Sequence, residues 1–387
     1  MRLFFKCFYC NSLKISTFAP PISLTITNHL LTMLQELTIR FSKTKQSRLS
    51  EVDFNNLPFG KIFSDHMALV EYSNGEWQTP QILPYGPIPL SPATSALHYG
   101  QAIFEGMKAN VDQSTGEILV FRPEKNAARF NRSATRMCMP TVPEDLFLET
   151  LYELLRLDKA WIPQQANSAL YIRPYMFASD EFVGVRPSDS YKFIIFTCPV
   201  GAYYTQPVNV LVAEKYSRAA TGGTGEAKAA GNYGAAMYPS MLAKKQGYDQ
   251  MLWMDSRMHR FIDEIGTMNV FFVIGNTVVT PALDGTILDG VTRSSVVQLC
   301  KDRGLTVEER QVSIDEILDA NDKGVLTDAF GAGTAATITY IVGIGYKGQH
   351  HNLMPVEKRT LSVELKAELD SIKRGIIPDK HNWIVRL

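Results

Sequence analysis

The 387-residue chain has no surplus of either charge, since 39 Lys and Arg balance 39 Asp and Glu. That excludes the basic stripe of a nucleic-acid binder and an acidic tail meant for a cationic partner. No apolar run approaches the ~20 residues a membrane-spanning helix needs. Neither nucleic acid nor membrane is expected as a partner. Cysteine is scarce: Cys7, Cys10, Cys138, Cys198 and Cys300 are odd in number and widely spaced, which argues against a disulfide framework and for a reducing compartment. Cys7 and Cys10 form a CxxC with no second pair or histidine set nearby, too little for zinc or redox chemistry. H-E-x-x-H and G-x-S-x-G are both missing, and no histidine or carboxylate set has metal-ligand spacing, so no metal is expected. Fixed-period repeats and low-complexity tracts are absent too.

What is present is an ordinary globular mixture, 45% hydrophobic and 20% charged, long enough for two domains of ~100–200 residues each. Residues 1–35 stand apart, with no Asp or Glu and with Arg2, Lys6 and Lys14 among Ser, Thr and apolar residues. They read either as an organellar transit peptide, which implies a mitochondrial address, or as an extension upstream of a working start at Met33, which implies a cytoplasmic one. The second reading is preferred, and residues 1–32 are set outside the fold.

From Asp65 the pattern is strand-rich. "HMALVEYSNGEWQTP" alternates around Asn74-Gly75, the signal for a type I′ hairpin. "GEILVFRP" reads as a strand, and "EKNAARFNRSATRM" spaces Ala127, Phe130 and Ala134 as a helix does. "PEDLFLETLYELLRLDKAWIP" is an amphipathic helix stopped by Pro163. "ALYIRPYMF" and "YKFIIFTCPV" are buried strands. Residues 33–204 form one α+β unit, 205–216 a linker, and 217–387 a second unit. In the second unit "AAMYPSMLAKKQG" is a helix ending at Gly247, and "QMLWMD", "RFIDEI" and "MNVFFVIGNTVVTP" are strands, the last folded at Gly275-Asn276. "LDGVTRSSVVQLCKDRG" turns into a helix closed by Gly304, and "DAFGAGTAATITYIVGIGYKG" is a glycine turn followed by a strand. His350-His351 reads as an exposed loop.

The second unit opens on "TGGTGEAKAAGNYG", where five glycines surround Lys228. Glycine permits tight turns and close approach. The lysine there is a phosphate anchor, a nucleophilic amine, or a solvated charge. A P-loop fails, because Ala227 replaces its second glycine and Ala229 its Ser/Thr. Two dinucleotide-like matches fail as well. Gly343, Gly345 and Gly348 run into Pro355, and Gly331, Gly333 and Ala336 run into the β-branched "TITYIV", so neither opens a long helix.

Phosphate binding by other means is open. Val291 and Thr292 fall where free N–H groups face out of a helix start, and "GAGT" offers a second concavity with the Thr334 hydroxyl. Each is otherwise an ordinary turn. Strand alternation separates Asp263 from Glu264, so one of the two faces the core. A buried Glu264 wants a cation, whether a ligand's or that of a neighbouring Arg or Lys. Arg129 and Arg173, set in apolar stretches, suit phosphate or carboxylate, or a structural ion pair. Tyr99, Tyr171, Tyr203 and Tyr233 are pocket or core tyrosines. A phosphate site, a loop lysine, a buried carboxylate and a tyrosine together suit pyridoxal 5′-phosphate (PLP), whose aldehyde, ring nitrogen and phosphate need such partners.

From about Ser64 to the C-terminus the chain closely resembles the branched-chain amino acid aminotransferases, PLP enzymes of fold type IV. "HYGQAIFEGMKA", "FRPEKNAARFNRSATRM", "LYIRP", "GAYY", "GGTGEAKAAGNYG", "DEIGTMNVFF", "LDGVTR" and "FGAGTAA" carry the resemblance, in order. It implies an α+β architecture of two domains, a smaller N-terminal α/β domain and a larger, mixed, β-barrel-like one with the PLP lysine. It implies that Lys228 bonds the cofactor aldehyde, Glu264 pairs with the ring nitrogen and Tyr233 with the ring hydroxyl. Arg129, Val291, Thr292 and Thr334 would hold the phosphate, and Thr267 would also contact the cofactor. Thr334 and Ala335 would offer N–H groups to the substrate α-carboxylate. Tyr99, Phe104, Tyr171 and Tyr203 would wall the side-chain pocket, and Arg173 would receive the distal carboxylate of glutamate. The implied reaction is ping-pong transamination of leucine, isoleucine or valine with 2-oxoglutarate, by a homodimer. A D-amino acid aminotransferase, an aminodeoxychorismate lyase, a PLP binder without turnover and a nicotinamide dehydrogenase are the rivals. The CxxC that animal members carry after the "GT" turn is missing from "GTAATIT", so thiol regulation there is not expected.

Overall fold

Asn74 and Gly75 both adopt positive φ (54° and 83°), as a type I′ turn requires. They join β2 (His66–Ser73) to β3 (Glu76–Trp77) in the register Tyr72 opposite Trp77. The computed structural model describes residues 37–201 and 206–387. Tyr203 and the CxxC of Cys7 and Cys10 lie outside the described residues.

The hairpin belongs to the first of two sheets. Its other strands are β1 (Arg40–Phe41), β4 (Gln81–Pro84), β5 (Ala102–Phe104), β6 (Met107–Val111), β7 (Ile118–Phe121), β8 (Ala169–Ala178) and β9 (Tyr191–Val200). The short helix α1 (Ser95–Tyr99) precedes β5. Helices α2 (Pro123–Arg136) and α3 (Glu144–Leu157) follow β7. Proline at the first position of α2 loses no hydrogen bond, because that N–H has no partner inside a helix. Ala127, Phe130 and Ala134 form its buried stripe. Phe130 meets Phe147 of α3 and Phe193 of β9 at 5.5 and 5.3 Å between ring centroids.

The second sheet contains β10 (Val208–Val212), β11 (Gln250–Met254), β12 (Ile262–Ile265), β13 (Asn269–Ile274), β14 (Thr277–Thr280), β15 (Thr306–Glu309), β16 (Leu326–Gly333), β17 (Thr337–Tyr346) and β18 (Gln349–Asn352). Its helices are α4 (Ala230–Lys245), α5 (Val291–Asp302), α6 (Ile314–Asp322) and α7 (Leu361–Lys373). The final strand, β19 (Ile384–Arg386), returns to pair with β7 of the first sheet.

Several local expectations need correction. Val208–Val212, inside the stretch read as linker, is an interior strand, parallel to both β11 and β17. Its alternate valines 208, 210 and 212 are buried, a short apolar signal that two flanking loops obscured. The "DAFGAG" glycines are strand rather than turn, and the chain reverses at 334–336. His350 and His351 lie in β18, at the sheet edge. Asp263 and Glu264 are both buried, because β12 is covered on both faces and alternation exposes neither. No helix among the described residues is long and apolar enough to cross a membrane.

Candidate active site

The backbone of Lys228 is held on both sides. Its N–H donates to Ser133 Oγ of α2 at 2.9 Å, and its carbonyl accepts the Phe104 N–H at 3.1 Å. Helix α4 begins two residues later, earlier than the apolar pattern indicated. Asn232 staples this start, donating to Thr224 O at 2.7 Å and Ala227 O at 2.9 Å. The lysine Nζ is thereby turned inward, 3.0 Å from the Tyr233 hydroxyl and 5.0 Å from the centroid of Phe104.

Nζ opens on a cavity of about 590 Å³. Phe104, Tyr171, Arg173, Tyr233, Thr267, Thr334 and Ala335, seven of the residues singled out from sequence, line it with Lys228. Phe59, Tyr175 and Phe196 complete the aromatic wall and carried no motif signal. Arg173 is the cation among the aromatics: its guanidinium lies 4.7 Å from the Phe104 centroid and its Nη2 donates to Tyr171 Oη at 2.9 Å. Tyr99 is not brought to this wall. It is 42% exposed on α1.

Glu264 is buried and, like Arg129, Val291 and Thr292, does not itself line this cavity. Oε1 accepts the Leu288 N–H at 2.8 Å and Asn269 Nδ2 at 3.2 Å. Oε2 is 3.0 Å from Arg218 Nε, whose N–H is not aimed at it, so this is a charge contact rather than an aligned hydrogen bond. Burial raises the Glu264 pKa, and Arg218 and the Leu288 N–H oppose that rise. The charges of Lys228 and Arg129 also reach it. Neighbouring Asp263 is pushed up to about 7 by burial and by Asp284 and Glu264, and its Oδ2 has no hydrogen-bond partner.

Arg129 is clamped. Nε and Nη2 bind the two oxygens of Glu105 at 2.7 and 2.8 Å, and Nη1 donates to Asp289 O at 2.9 Å. With a longer Nη2 contact to Asn126 at 3.5 Å, four of the five guanidinium N–H groups are used. One on Nη1 stays free. Burial opposes the Arg129 charge, and Glu105 outweighs it, holding the pKa above the ordinary arginine value.

The Leu288–Gly290 loop is thus tied to Arg129 by Asp289 and to Glu264 by Leu288. Asn269 Nδ2 also donates to Leu288 O at 2.9 Å. A Cβ on Gly290 would overlap Asn269 Oδ1. The loop delivers the start of α5, where Val291 and Thr292 are buried and no side chain caps the helix. Their N–H groups belong to the first turn, which has no partners inside a helix. From behind, Arg122 Nη1 donates to Ser294 Oγ at 3.0 Å and Ser295 Oγ at 2.8 Å. The arrangement therefore offers a free amine at an aromatic cavity, a buried carboxylate within reach of that amine's charge, and a helix start suited to an anion that the Leu288–Gly290 loop ties to the carboxylate. Among the described residues no group of three His, Cys, Asp or Glu could hold a metal.

Residues 102–339 match the family model described as amino-transferase class IV. The chain belongs to the class IV aminotransferases. This aminotransferase is 40% identical, over 90% of its length and 96% of the relative's, to branched-chain-amino-acid aminotransferase 2 of Bacillus subtilis. It is 42% identical to a probable branched-chain-amino-acid aminotransferase of Staphylococcus epidermidis, over 90% and 98% of the two chains. Among solved structures it is similar to the branched-chain amino acid aminotransferase of Escherichia coli, with a TM-score of 0.67 and 25% identity over 83% of this chain and 98% of that one. The PLP-bound holo-form of the Thermobaculum terrenum enzyme superposes with a TM-score of 0.64 at 22% identity, covering 83% and 98%, a likeness of fold. In this aminotransferase the decoy glycines of 331–336 and 343–348 sit in strands and hairpins, with no helix start for a dinucleotide.

Proposed function

We propose that the protein transaminates L-leucine, L-isoleucine and L-valine with 2-oxoglutarate, using PLP, as a homodimer in the cytoplasm. The observation that carries the reading is the Lys228 amine, 3.0 Å from the Tyr233 hydroxyl, at the mouth of an aromatic cavity containing one arginine. The names of relatives 40–43% identical to the chain support the substrate class.

The residues fit the cofactor. Lys228 would bond its aldehyde carbon, Glu264 would pair with its ring nitrogen, and Tyr233 with its ring hydroxyl. The first-turn N–H groups at Val291 and Thr292, the spare Arg129 N–H and the Thr334 hydroxyl would hold its phosphate, with Thr267 beside it. When bound, PLP supplies an electron-withdrawing ring that acidifies the substrate Cα–H. The protein's part is to bind, orient and move that proton. Lys228 Nζ, once the substrate's amine has replaced it at the aldehyde carbon, would be the base that takes it and hands it on. Thr334 and Ala335 N–H groups receive the α-carboxylate. Phe104 and Tyr171 enclose an aliphatic side chain and exclude water. Arg173, held by Tyr171, receives the second carboxylate when glutamate occupies the same space.

The test is the visible absorption spectrum of PLP-loaded protein before and after L-leucine, with L-valine compared against D-valine. A shift with L-leucine and L-valine alone, lost in Lys228→Ala, is expected. A shift with D-valine instead would assign a D-amino acid enzyme, and no bound chromophore would sink the cofactor reading.

A further inference from the structure

Behind the 334–337 turn lies a second cavity of about 400 Å³, separate from the one that Lys228 faces. Lys108 of β6, Lys366 in the middle of α7, Lys373 and Arg374 at its end, and Asn110 contribute to its wall. Ala335 lines both cavities. The turn is a partition, with the amine site on one side and four cations on the other.

Those cations are short of counter-charge. Asp370 is the single carboxylate in the wall. Its Oδ2 is engaged by Lys366 Nζ at 2.9 Å and its Oδ1 by the Thr337 hydroxyl, also at 2.9 Å. Lys373, only 7% exposed, donates instead to Thr337 Oγ1 at 3.0 Å, and Lys108 to the Ala335 carbonyl at 2.5 Å. Both ammoniums therefore spend an N–H on a neutral oxygen, and among the described residues neither has a carboxylate within ion-pair distance. Each has three donors. Burial, with repulsion from neighbouring lysines, lowers Lys108 to about 7 and Lys373 to about 8, although the Asp370 charge opposes the fall in both. A buried charge without a partner is costly, and an anion in this space would relieve it.

We propose that this cavity is a binding site for a small doubly charged oxyanion, phosphate or a short dicarboxylate, whose occupancy sets the geometry of the 334–337 turn. The coupling follows from the contacts. Lys108 and Lys373 both hold the turn, and Thr337 sits at a φ of 61°, a strained value for a β-branched residue. An anion that recruits the two ammoniums changes their grip on Ala335 and Thr337. The effect on the turn must then be reciprocal with ligand binding on its other face. Binding stands without the transaminase reading, while its effect on turnover rests on that reading.

Asn110→Asp is the variant of choice. It changes almost no volume and supplies the missing carboxylate from within. Calorimetric titration of PLP-saturated protein with inorganic phosphate, at fixed ionic strength, is expected to show one saturable event in the wild type and none in the variant. No wild-type binding, or equal binding in both proteins, overturns the site. In the wild type, saturating phosphate is expected to change the KM for L-leucine by about fivefold, with kcat nearly unmoved and Asn110→Asp unresponsive. Phosphate binding with an unchanged KM overturns the coupling. Phosphate binding in a protein without transaminase activity leaves the site standing and removes the functional reading.

Discussion

Removing Glu105 is expected to destabilise the protein far more than removing an average charge. Glu105 is 0% and Arg129 4% exposed, so the pair is buried. Glu105→Ala deletes the bonds at 2.7 and 2.8 Å to Arg129, and also the acceptor of the Gly106 N–H at 3.2 Å. It leaves a guanidinium buried with only carbonyl and amide oxygens around it. Breaking a buried pair from one side costs about 3–5 kcal/mol, a large share of the ~5–15 kcal/mol that keeps a domain folded. Glu105→Gln keeps the shape and one acceptor but turns an amide N–H₂ toward a guanidinium N–H. The loss of one charged hydrogen bond predicts about 1.5–3 kcal/mol. Replacing both partners, Glu105→Leu with Arg129→Met, is expected to recover most of the stability, because the cost lies in the orphaned charge.

The assay is urea unfolding of the cofactor-free proteins, read as a shift in midpoint at constant slope. PLP affinity of the double variant is the second readout. It is expected to fall although the fold is restored, since the free Arg129 N–H is gone. The reasoning is refuted if Glu105→Ala loses less than about 1 kcal/mol, or if the double variant is as unstable as the two single variants added together.

Two further perturbations probe the cavity and the charge behind it. A Cβ on Gly106 would overlap the Tyr171 hydroxyl, so Gly106→Ala should displace Tyr171, break its 2.9 Å bond from Arg173 and raise the KM for 2-oxoglutarate about tenfold. Steady-state kinetics with both substrates checks this, and unchanged constants refute it. Asp263, pushed up to about 7 by burial, binds its proton more tightly folded than unfolded. Its contribution is therefore full below about 4 and lost as pH rises through about 7. Asp263→Asn should flatten that fall and raise the thermal midpoint at pH 8, and a wild-type midpoint that does not drop between pH 5 and pH 8 refutes it.

Lys228 and seven other residues that face the cavity were legible from sequence because they occur in short local patterns. Lys228 and Tyr233 lie in one stretch, Thr267 in another that also holds the buried Glu264, and Thr334 and Ala335 in a third. Their supports were not, because each is a pairing across distant elements. Nothing in "FEGMKA" announces that Glu105 will clamp Arg129, 24 residues on, or that Lys108 will reach Ala335 across 227. Arg218 was invisible for the same reason: the need of Glu264 for a cation was clear, but not which cation would meet it. Tyr99 shows the converse limit. Its motif is intact, yet α1 leaves it on the surface of this chain.

The glycines around Lys228 also had a reason that their number did not reveal. Of the five, only Gly222 has a positive φ, 79°. Gly225 has an ordinary backbone, but a Cβ there would overlap Thr286 O and the Ala219 methyl. Arg218 Nη2 donates to both Gly225 O, at 3.2 Å, and Thr286 O, at 2.6 Å. The loop is small so that its backbone can lie directly on the segment at Thr286, with Arg218 stitching the two together beside Glu264. That close approach ties the lysine's loop to the carboxylate's side of the site. A larger residue at 225 would separate the two segments before it touched Lys228 itself. The glycine-rich stretch is therefore chosen for proximity at Gly225 more than for flexibility, and the amine is held by a loop that is packed rather than free.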